Sequence, residues 1–315
     1  MSEPEQYQQA APPVHPEGVR YSPGVFAVMA LVIVFVLYQL VGGGISLLIT
    51  GGSFSPANVN VARAVTLMAQ FLLLLLPTLW LIRLQHSKIS KAVPWTMPGL
   101  VEVFLVIVGM VALLQAAEGY MYFQDMIPLP ESIRPIVEKV KEMIDQAYRI
   151  LVSSSSLSEL GWVLAVVAFT PAICEEILFR GLVQKNVSLS TNAVKGFVIT
   201  GIIFGLYHFN PFLAVPLIAL GIYFSFLRYR SRSIIVPMIA HFVNNTISTV
   251  GVYVYGYDNS DMPSILSENQ SVISVLSTTI LFILIFILAM TMYIKITEKN
   301  FRVEQDASPQ IGSIS

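Results

Sequence analysis

Charge is the scarcest property of this sequence. There are 18 lysines and arginines and 19 aspartates and glutamates in 315 residues, 12% of the chain, against roughly 25% in a soluble domain. So few charges cannot cover the surface of a water-soluble fold of this size, which excludes one. The same scarcity shows locally: no charged residue lies between Arg20 and Arg63. A helix of about 20 apolar residues crosses a ~30 Å hydrocarbon core, and this stretch can hold one. A single cysteine, Cys174, excludes an intramolecular disulfide. The net charge of −1 is uninformative, unlike its distribution, and no nucleic-acid partner is expected. Neither a GxSxG nor an HExxH motif is present, which argues against a serine nucleophile and against the commonest zinc-protease helix.

What fills the chain instead is hydrophobic residues, at 55%. They fall into eight runs, near 25–49, 62–82, 98–117, 160–184, 195–209, 211–227, 234–256 and 272–294. The chain therefore reads as an all-α polytopic membrane protein with about eight transmembrane helices. The first run is too long for the about 7–15-residue core of a signal peptide, so it is expected to be retained. The expected organisation is a disordered cytoplasmic tail at 1–24, a three-helix membrane region at 25–120, a non-cytoplasmic loop at 121–157, a catalytic core at 158–256, a last loop and helix at 257–296 and a cytoplasmic tail at 297–315. Within the loop, residues 131–151 place apolar side chains at 3-and-4 spacing opposite charges, the pattern of an amphipathic helix that lies on the outer membrane surface or packs on the protein's own loops.

Positive charge orients the segments. Arg83, Lys88, Lys91, Lys185, Lys195, Arg228, Arg230, Arg232, Lys295, Lys299 and Arg302 occupy one set of alternate connections, eleven of the 18 basic residues. Basic loops stay cytoplasmic, so both termini are expected there, in the cell membrane if the source is bacterial. The Arg228–Arg232 stretch reads as a topology signal in contact with anionic lipid, and Arg63 as a boundary residue that snorkels. Gly42–Gly44 and Gly51-Gly52 read as close-packing and turn positions.

Ionisable residues inside membrane helices cost at least ~2.5–3.5 kcal/mol each, which makes them functional hypotheses. Here they concentrate in three places: Glu175, Glu176 and Arg180 in TPAICEEILFRG, His208 in FGLYHFNP, and His241, Asn244 and Asn245 in IAHFVNNT. Measured from the nearest cytoplasmic lysine or arginine at ~1.5 Å per residue, Glu175 and His241 lie ~15 and ~14 Å deep and His208 and Asn245 ~20 Å. Three separate segments thus bring polar groups to one level. Glu176 and Arg180, at i and i+4, can pair along one face, while Glu175 is turned ~100° away and left free. His241 and Asn245 share a face, as do Phe204 and His208. Asn244 points elsewhere and reads as helix–helix hydrogen-bond glue. Pro171 removes a helix hydrogen bond one turn before Glu175.

A carboxylate held in a dry site suits general acid–base work. Glu175 could take a proton from water and return it to a leaving amine, with His208 orienting that water and His241 and Asn245 donating to the oxyanion. EEILFR, FGLYH and HFVNN also resemble, in order, the EExxxR, FxxxH and HxxxN motifs of the CPBP family. That family comprises CAAX prenyl endopeptidases of the Ras-converting type and bacterial relatives linked to bacteriocin processing and self-immunity. The resemblance spans roughly residues 158–256 and implies Glu175 as the catalytic glutamate, His208 as its partner and His241 with Asn245 as the oxyanion hole. Glu176 and Arg180 match supporting positions. It also implies a membrane-anchored peptide or protein substrate, prenylated in the better-known members, and a cavity open to the cytoplasm. Glu175, His208 and His241 could alternatively ligate zinc, but the asparagine suits an oxyanion donor better than a ligand, so no cofactor is expected. Competing readings are a non-catalytic immunity or regulatory protein of the same fold and a proton-coupled transporter, the latter disfavoured by the lack of an internal repeat.

The orientation can be tested by labelling. In a Cys174→Ser background, a cysteine replacing Ser90 should react with an impermeant maleimide only in opened membranes, and one replacing Glu131 in intact cells. The reverse pattern would invert the topology.

Overall fold

A computed structural model describes residues 19–52, 55, 57–86, 88–256 and 271–307, with side chains described as far as 298. Residues 1–18 of the expected tail at 1–24, residues 308–315 of that at 297–315, and 257–270 of the last loop lie outside the described residues. The described chain is helical, with no strand beyond an isolated bridge between Val19 and His86. We number its helices α1 (Pro23–Ile49), α2 (Val59–Gln85), α3 (Leu100–Asp125), α4 (Arg134–Val152), α5 (Leu157–Ser190), α6 (Ala193–Leu206), α7 (Ala214–Ser231), α8 (Ile235–Tyr255) and α9 (Val272–Ala307).

Six of these, α1, α2, α3, α5, α8 and α9, are long and apolar enough to cross a membrane. The predicted fifth and sixth segments are both helices, α6 of 14 residues and α7 of 18; α7 carries Arg228 and Arg230 in its last turn, which lowers its mean hydropathy. The polytopic all-α class holds. Boundaries shift outward where charged residues tolerate the helix: α3 runs to Asp125, α5 covers 34 residues, and α9 continues past the predicted end at 294.

Capping explains where the shorter elements begin. The Ser156 hydroxyl accepts from the Glu159 amide at 3.2 Å and opens α5, and the Asn192 side chain accepts from the Lys195 amide at 2.9 Å and opens α6. Each satisfies an amide that has no partner within its helix. The amphipathic pattern at 131–151 forms α4, with Ile133 just before it and Ile136, Val140 and Met143 on it left exposed while Val152 at its end is buried.

α5 is the central helix: 61% of its apolar window is buried inside the protein, against 11% for α9. Around it, glycines set the closest approaches. A Cβ on Gly201 of α6 would stand 2.4 Å from the Ile222 amide nitrogen, and one on Gly221 of α7 would stand 2.4 Å from the Gly201 carbonyl oxygen. The α6–α7 hairpin is therefore packed backbone on backbone, which only residues without a Cβ permit. On the other side, a Cβ on Gly119 of α3 would overlap Thr279 of α9, and one on Gly109 would meet Met290 of α9 and Tyr223 of α7. Gly51 and Gly52 turn the chain with φ of 73° and 86°, as expected; of the expected close-packing run only Gly42 packs tightly, on Ala69 and Leu73 of α2, while a Cβ on Gly43 or Gly44 would meet nothing within 4 Å.

Two expectations about arginine are overturned. Arg63 does not snorkel; it is fully buried. Its guanidinium meets Glu159 at 2.7 Å and the Asn60 side-chain oxygen at 3.0 Å, and donates to the carbonyls of Leu151 at 3.0 Å and Ser153. It ties α2 to the end of α4 and the start of α5, because a guanidinium with five donors is cheapest to bury where carbonyls and a carboxylate converge. Arg230 likewise is no lipid contact. It is buried against α9, donating to Thr297 at 2.9 Å, to the Ile294 carbonyl at 2.6 Å and to Glu298.

At the N-terminal end of the described chain, Gln85 of α2 pairs both its amide groups with the Tyr21 backbone at 3.1 Å and donates to Asn186 of α5 at 2.9 Å. Beside it, His86 is pushed down to about 4 by burial and by the Lys185 and Lys91 charges.

Because added carbon at the hairpin would meet backbone rather than a flexible side chain, Gly221→Ala should lower the thermal midpoint in detergent, a loss on the order of 1–3 kcal/mol. Gly161→Ala, where nothing lies within 4 Å, should be neutral or stabilising by up to ~1 kcal/mol. Equal midpoints for the two variants would contradict this packing.

Candidate active site

The EE pair sits in the middle of α5, between two π-helical stretches, Ala165–Phe169 and Ile177–Val183. Such stretches change the angle at which successive side chains leave the helix. The consequence is two adjacent carboxylates in different surroundings. Glu176 is fully buried and Glu175 keeps 17% of its side-chain surface open.

Glu176 is the inner group. Its Oε1 accepts from Arg180 at 2.8 Å, as the i,i+4 spacing predicts, and from His241 Nδ1 of α8 at 2.9 Å. Arg180, also fully buried, donates with its other terminal nitrogen to the Gly221 carbonyl of α7 at 3.0 Å. Its guanidinium lies 4.4 Å from the ring centre of Phe204 and 5.2 Å from that of Phe224, and the His241 ring stacks on Phe224 at 5.1 Å. Cation–π contacts in such a desolvated setting offset part of the cost of burying the charge. The His241 bond to Glu176 is not expected from the sequence, where spacing ties Glu176 to Arg180 alone. Phe224 and the Gly221 carbonyl are also new; both lie on α7, a segment without a polar signal to draw attention to it.

Glu175 faces the other way. Its Oε2 lies 3.9 Å from His208 Nε2 and has no hydrogen-bond partner although the atom is buried. His208 stands two residues beyond the end of α6, on a turn that ends with Phe209 in the left-handed region at φ 51°. The expected pairing of Phe204 with His208 is present: the rings lie 4.6 Å apart, and His208 Nδ1 is 2.7 Å from the Phe204 carbonyl oxygen. A carbonyl only accepts, so Nδ1 carries the hydrogen and in the neutral ring Nε2 is an acceptor turned to Glu175.

Asn245, one turn beyond His241 on α8, donates from Nδ2 to the Val167 carbonyl at 2.9 Å and accepts from Asn244 at 2.8 Å. Val167 lies in the first π-helical stretch, whose altered geometry leaves carbonyls to be satisfied from outside the helix. Asn244, expected to bond a neighbouring helix, bonds Asn245 instead. The structure thus brings Glu175 to His208, and Glu176 with Arg180 to His241, with the ring of Phe204 between the two pairs; Asn245 is tied to the backbone of α5.

The alternative zinc set, Glu175, His208 and His241, is not gathered in this structure: among the described residues no three His, Cys, Asp or Glu side chains are grouped to hold a metal ion.

Comparison with family models matched residues 157–247 to the family described as Type II CAAX prenyl endopeptidase Rce1-like. The match opens at the first residue of α5 and takes in the EE pair, His208, His241 and Asn245. Comparison with curated proteins and with solved structures gave no match.

The buried triad should be structural. Arg180→Met, which leaves Glu176 a single partner, should cost on the order of 3–5 kcal/mol and lower the thermal midpoint sharply. Glu175→Gln should leave the midpoint close to that of wild type; similar losses for both would mean that Glu175 is also part of the scaffold.

Proposed function

We propose, from the premise that residues 157–247 carry a domain of the Rce1-like, type II CAAX prenyl endopeptidase family, that the chain is an intramembrane glutamate endopeptidase acting on membrane-anchored peptides of the CAAX type. At the level of the family it is a membrane endopeptidase. The observation that carries the finer reading is the facing pair Glu175 and His208. Two acceptors 3.9 Å apart are too far for a direct hydrogen bond and close enough for one water to donate to both. Such a water keeps a lone pair free to attack.

In the reaction proposed, the water oxygen bonds to the scissile carbonyl carbon while one of its protons passes to Glu175. The carbonyl oxygen takes the negative charge. The proton on Glu175 then moves to the amide nitrogen, the C–N bond breaks, and a carboxylic acid and an amine leave, the acid's proton passing to the amine or to solvent. His208, held in one tautomer by the Phe204 carbonyl, orients the water. His241, with Nδ1 on Glu176, can donate from Nε2 to the oxyanion in its imidazolium form, whose charge Glu176 would balance. Asn245 has a second amide hydrogen for the same role. No step is routed through a metal. Prenylated C-terminal substrates follow from the family alone, and the cytoplasmic placement of both termini from the distribution of arginine and lysine.

The test is cleavage by purified protein in lipid of a panel of membrane-anchored peptides, farnesylated CAAX peptides included. Glu175→Gln, folded by thermal melting, should lose about 10²–10⁴-fold in rate, the range of a general acid–base group, and chelator should leave wild type unchanged. Equal cleavage by wild type and variant would sink the glutamate mechanism.

A further inference from the structure

The turn that carries His208 is held from outside the matched domain. After α6 ends at Leu206, the backbone makes only short local bonds: the His208 amide reaches the Gly205 carbonyl at 3.4 Å and the Phe209 amide the Leu206 carbonyl at 3.1 Å. Phe209 then enters the left-handed region at φ 51°, which a bulky residue adopts only where its surroundings impose it. Asn210 closes the turn, its side-chain oxygen accepting from the amides of Phe212 at 3.1 Å and Leu213 at 3.3 Å. So short and irregular a segment is weakly determined by its own bonds.

What imposes its shape comes from α1 and α3. The Tyr207 hydroxyl donates to the Leu31 carbonyl of α1 at 3.1 Å, which a helical carbonyl accepts with its second lone pair. One turn further along α1, Phe35 lies edge-on to Tyr207 with ring centres 5.8 Å apart, and 5.1 Å from the ring of Phe209. The two residues that flank His208 are thus gripped by one helix. Tyr207 also stands edge-on to Phe179 of α5 at 5.4 Å. On the far side of the turn, the Gln124 side chain of α3 donates to the Phe212 carbonyl at 3.0 Å. Both α1 and α3 precede residue 157, where the family match begins.

We propose that Tyr207 and Phe35 are positioning residues for His208: α1 clamps the residues on either side of it, so that Nδ1 stays on the Phe204 carbonyl and Nε2 stays turned to Glu175. The inference rests on His208 orienting the water, as proposed above. It gives the N-terminal region a part in the chemistry of a site whose motifs all lie C-terminal to it. The ring of His208 is held by one 2.7 Å bond and its contact with Phe204, and 32% of its side-chain surface is open. A turn released from α1 therefore lets the ring rotate and exchange tautomers. If Tyr207 and Phe35 only filled space, their loss would lower stability and leave the state of His208 unchanged.

The experiment is nitrogen NMR of the full chain in lipid with isotope-labelled histidine. The chain has four histidines, and the His208 signals are identified by their loss in His208→Gln. At alkaline pH, where imidazoles are neutral, the nitrogen shifts report which ring nitrogen carries the hydrogen. Wild type should show it on Nδ1 of His208. Tyr207→Phe keeps the ring and loses only the hydroxyl; shown folded by melting, it should move the His208 signals toward a mixture of both tautomers. It should also lower kcat about two- to tenfold with KM changed less than about twofold. Phe35→Leu should act in the same direction, whereas Val32→Ala, at an exposed position of α1, should change neither readout. His208 signals in Tyr207→Phe and Phe35→Leu that superimpose on wild type would overturn the proposal, as would a wild-type His208 with its hydrogen on Nε2. The spectrum needs no substrate, so shifted tautomers together with undiminished cleavage by His208→Gln would leave the clamp in place and refute the part given to His208 in the reaction.

Discussion

A carboxylate shut away from solvent in an apolar interior has to be matched there or it does not stay ionised, and Glu176 is shut away completely. The cost of removing a charge from water is several kcal/mol, repaid only when geometry is good and the remaining lone pairs and donors are used. Arg180 meets this condition along the same helix. Arg180 in turn needs partners, and finds them in the Gly221 carbonyl of α7 and the rings of Phe204 on α6 and Phe224 on α7. His241 brings in α8. One buried charge thus dictates that four helices converge, and the glycine contacts between α6 and α7 are what allow the hairpin to close tightly enough for Gly221 to offer its carbonyl.

Locking one carboxylate into the interior defines the other. Adjacent residues on a helix point ~100° apart, so the helix that locks Glu176 into the protein presents Glu175 to a different space. There it meets a histidine whose tautomer is set by a backbone carbonyl and whose ring rests on Phe204. The division is chemical as well as geometric. Glu176 is held by Arg180 and His241 through one oxygen and shut away from solvent, whereas Glu175 is partly open and faces a histidine that a water can bridge. The π-helical stretches on either side of the pair are consistent with this, since an element under purely structural selection keeps its regular ladder.

A second buried arginine organises the fold where α4 meets α5. Arg63 binds Glu159 and the carbonyls that end α4, so the amphipathic helix is attached at its C-terminal end to the helix that carries the EE pair. Its isoleucine, valine and methionine side chains at 136, 140 and 143 remain exposed.

Much was legible in the sequence because a membrane is a demanding solvent. Scarce charge, uncharged runs of helix-spanning length and the clustering of Glu175, Glu176, Arg180, His208, His241 and Asn245 all follow from the cost of polar groups in hydrocarbon, and that cost is paid residue by residue along the chain. Spacing of four residues sufficed for Glu176 with Arg180 and for Phe204 with His208, because both pairs are local. Spacing could not show that His241 bonds Glu176 or that Arg63 and Arg230 are buried. Those contacts join groups more than 60 residues apart or depend on which side of a helix meets a neighbour. Backbone approach at Gly201 and Gly221 and the π-helical turns decide that, and both arise only when the helices pack.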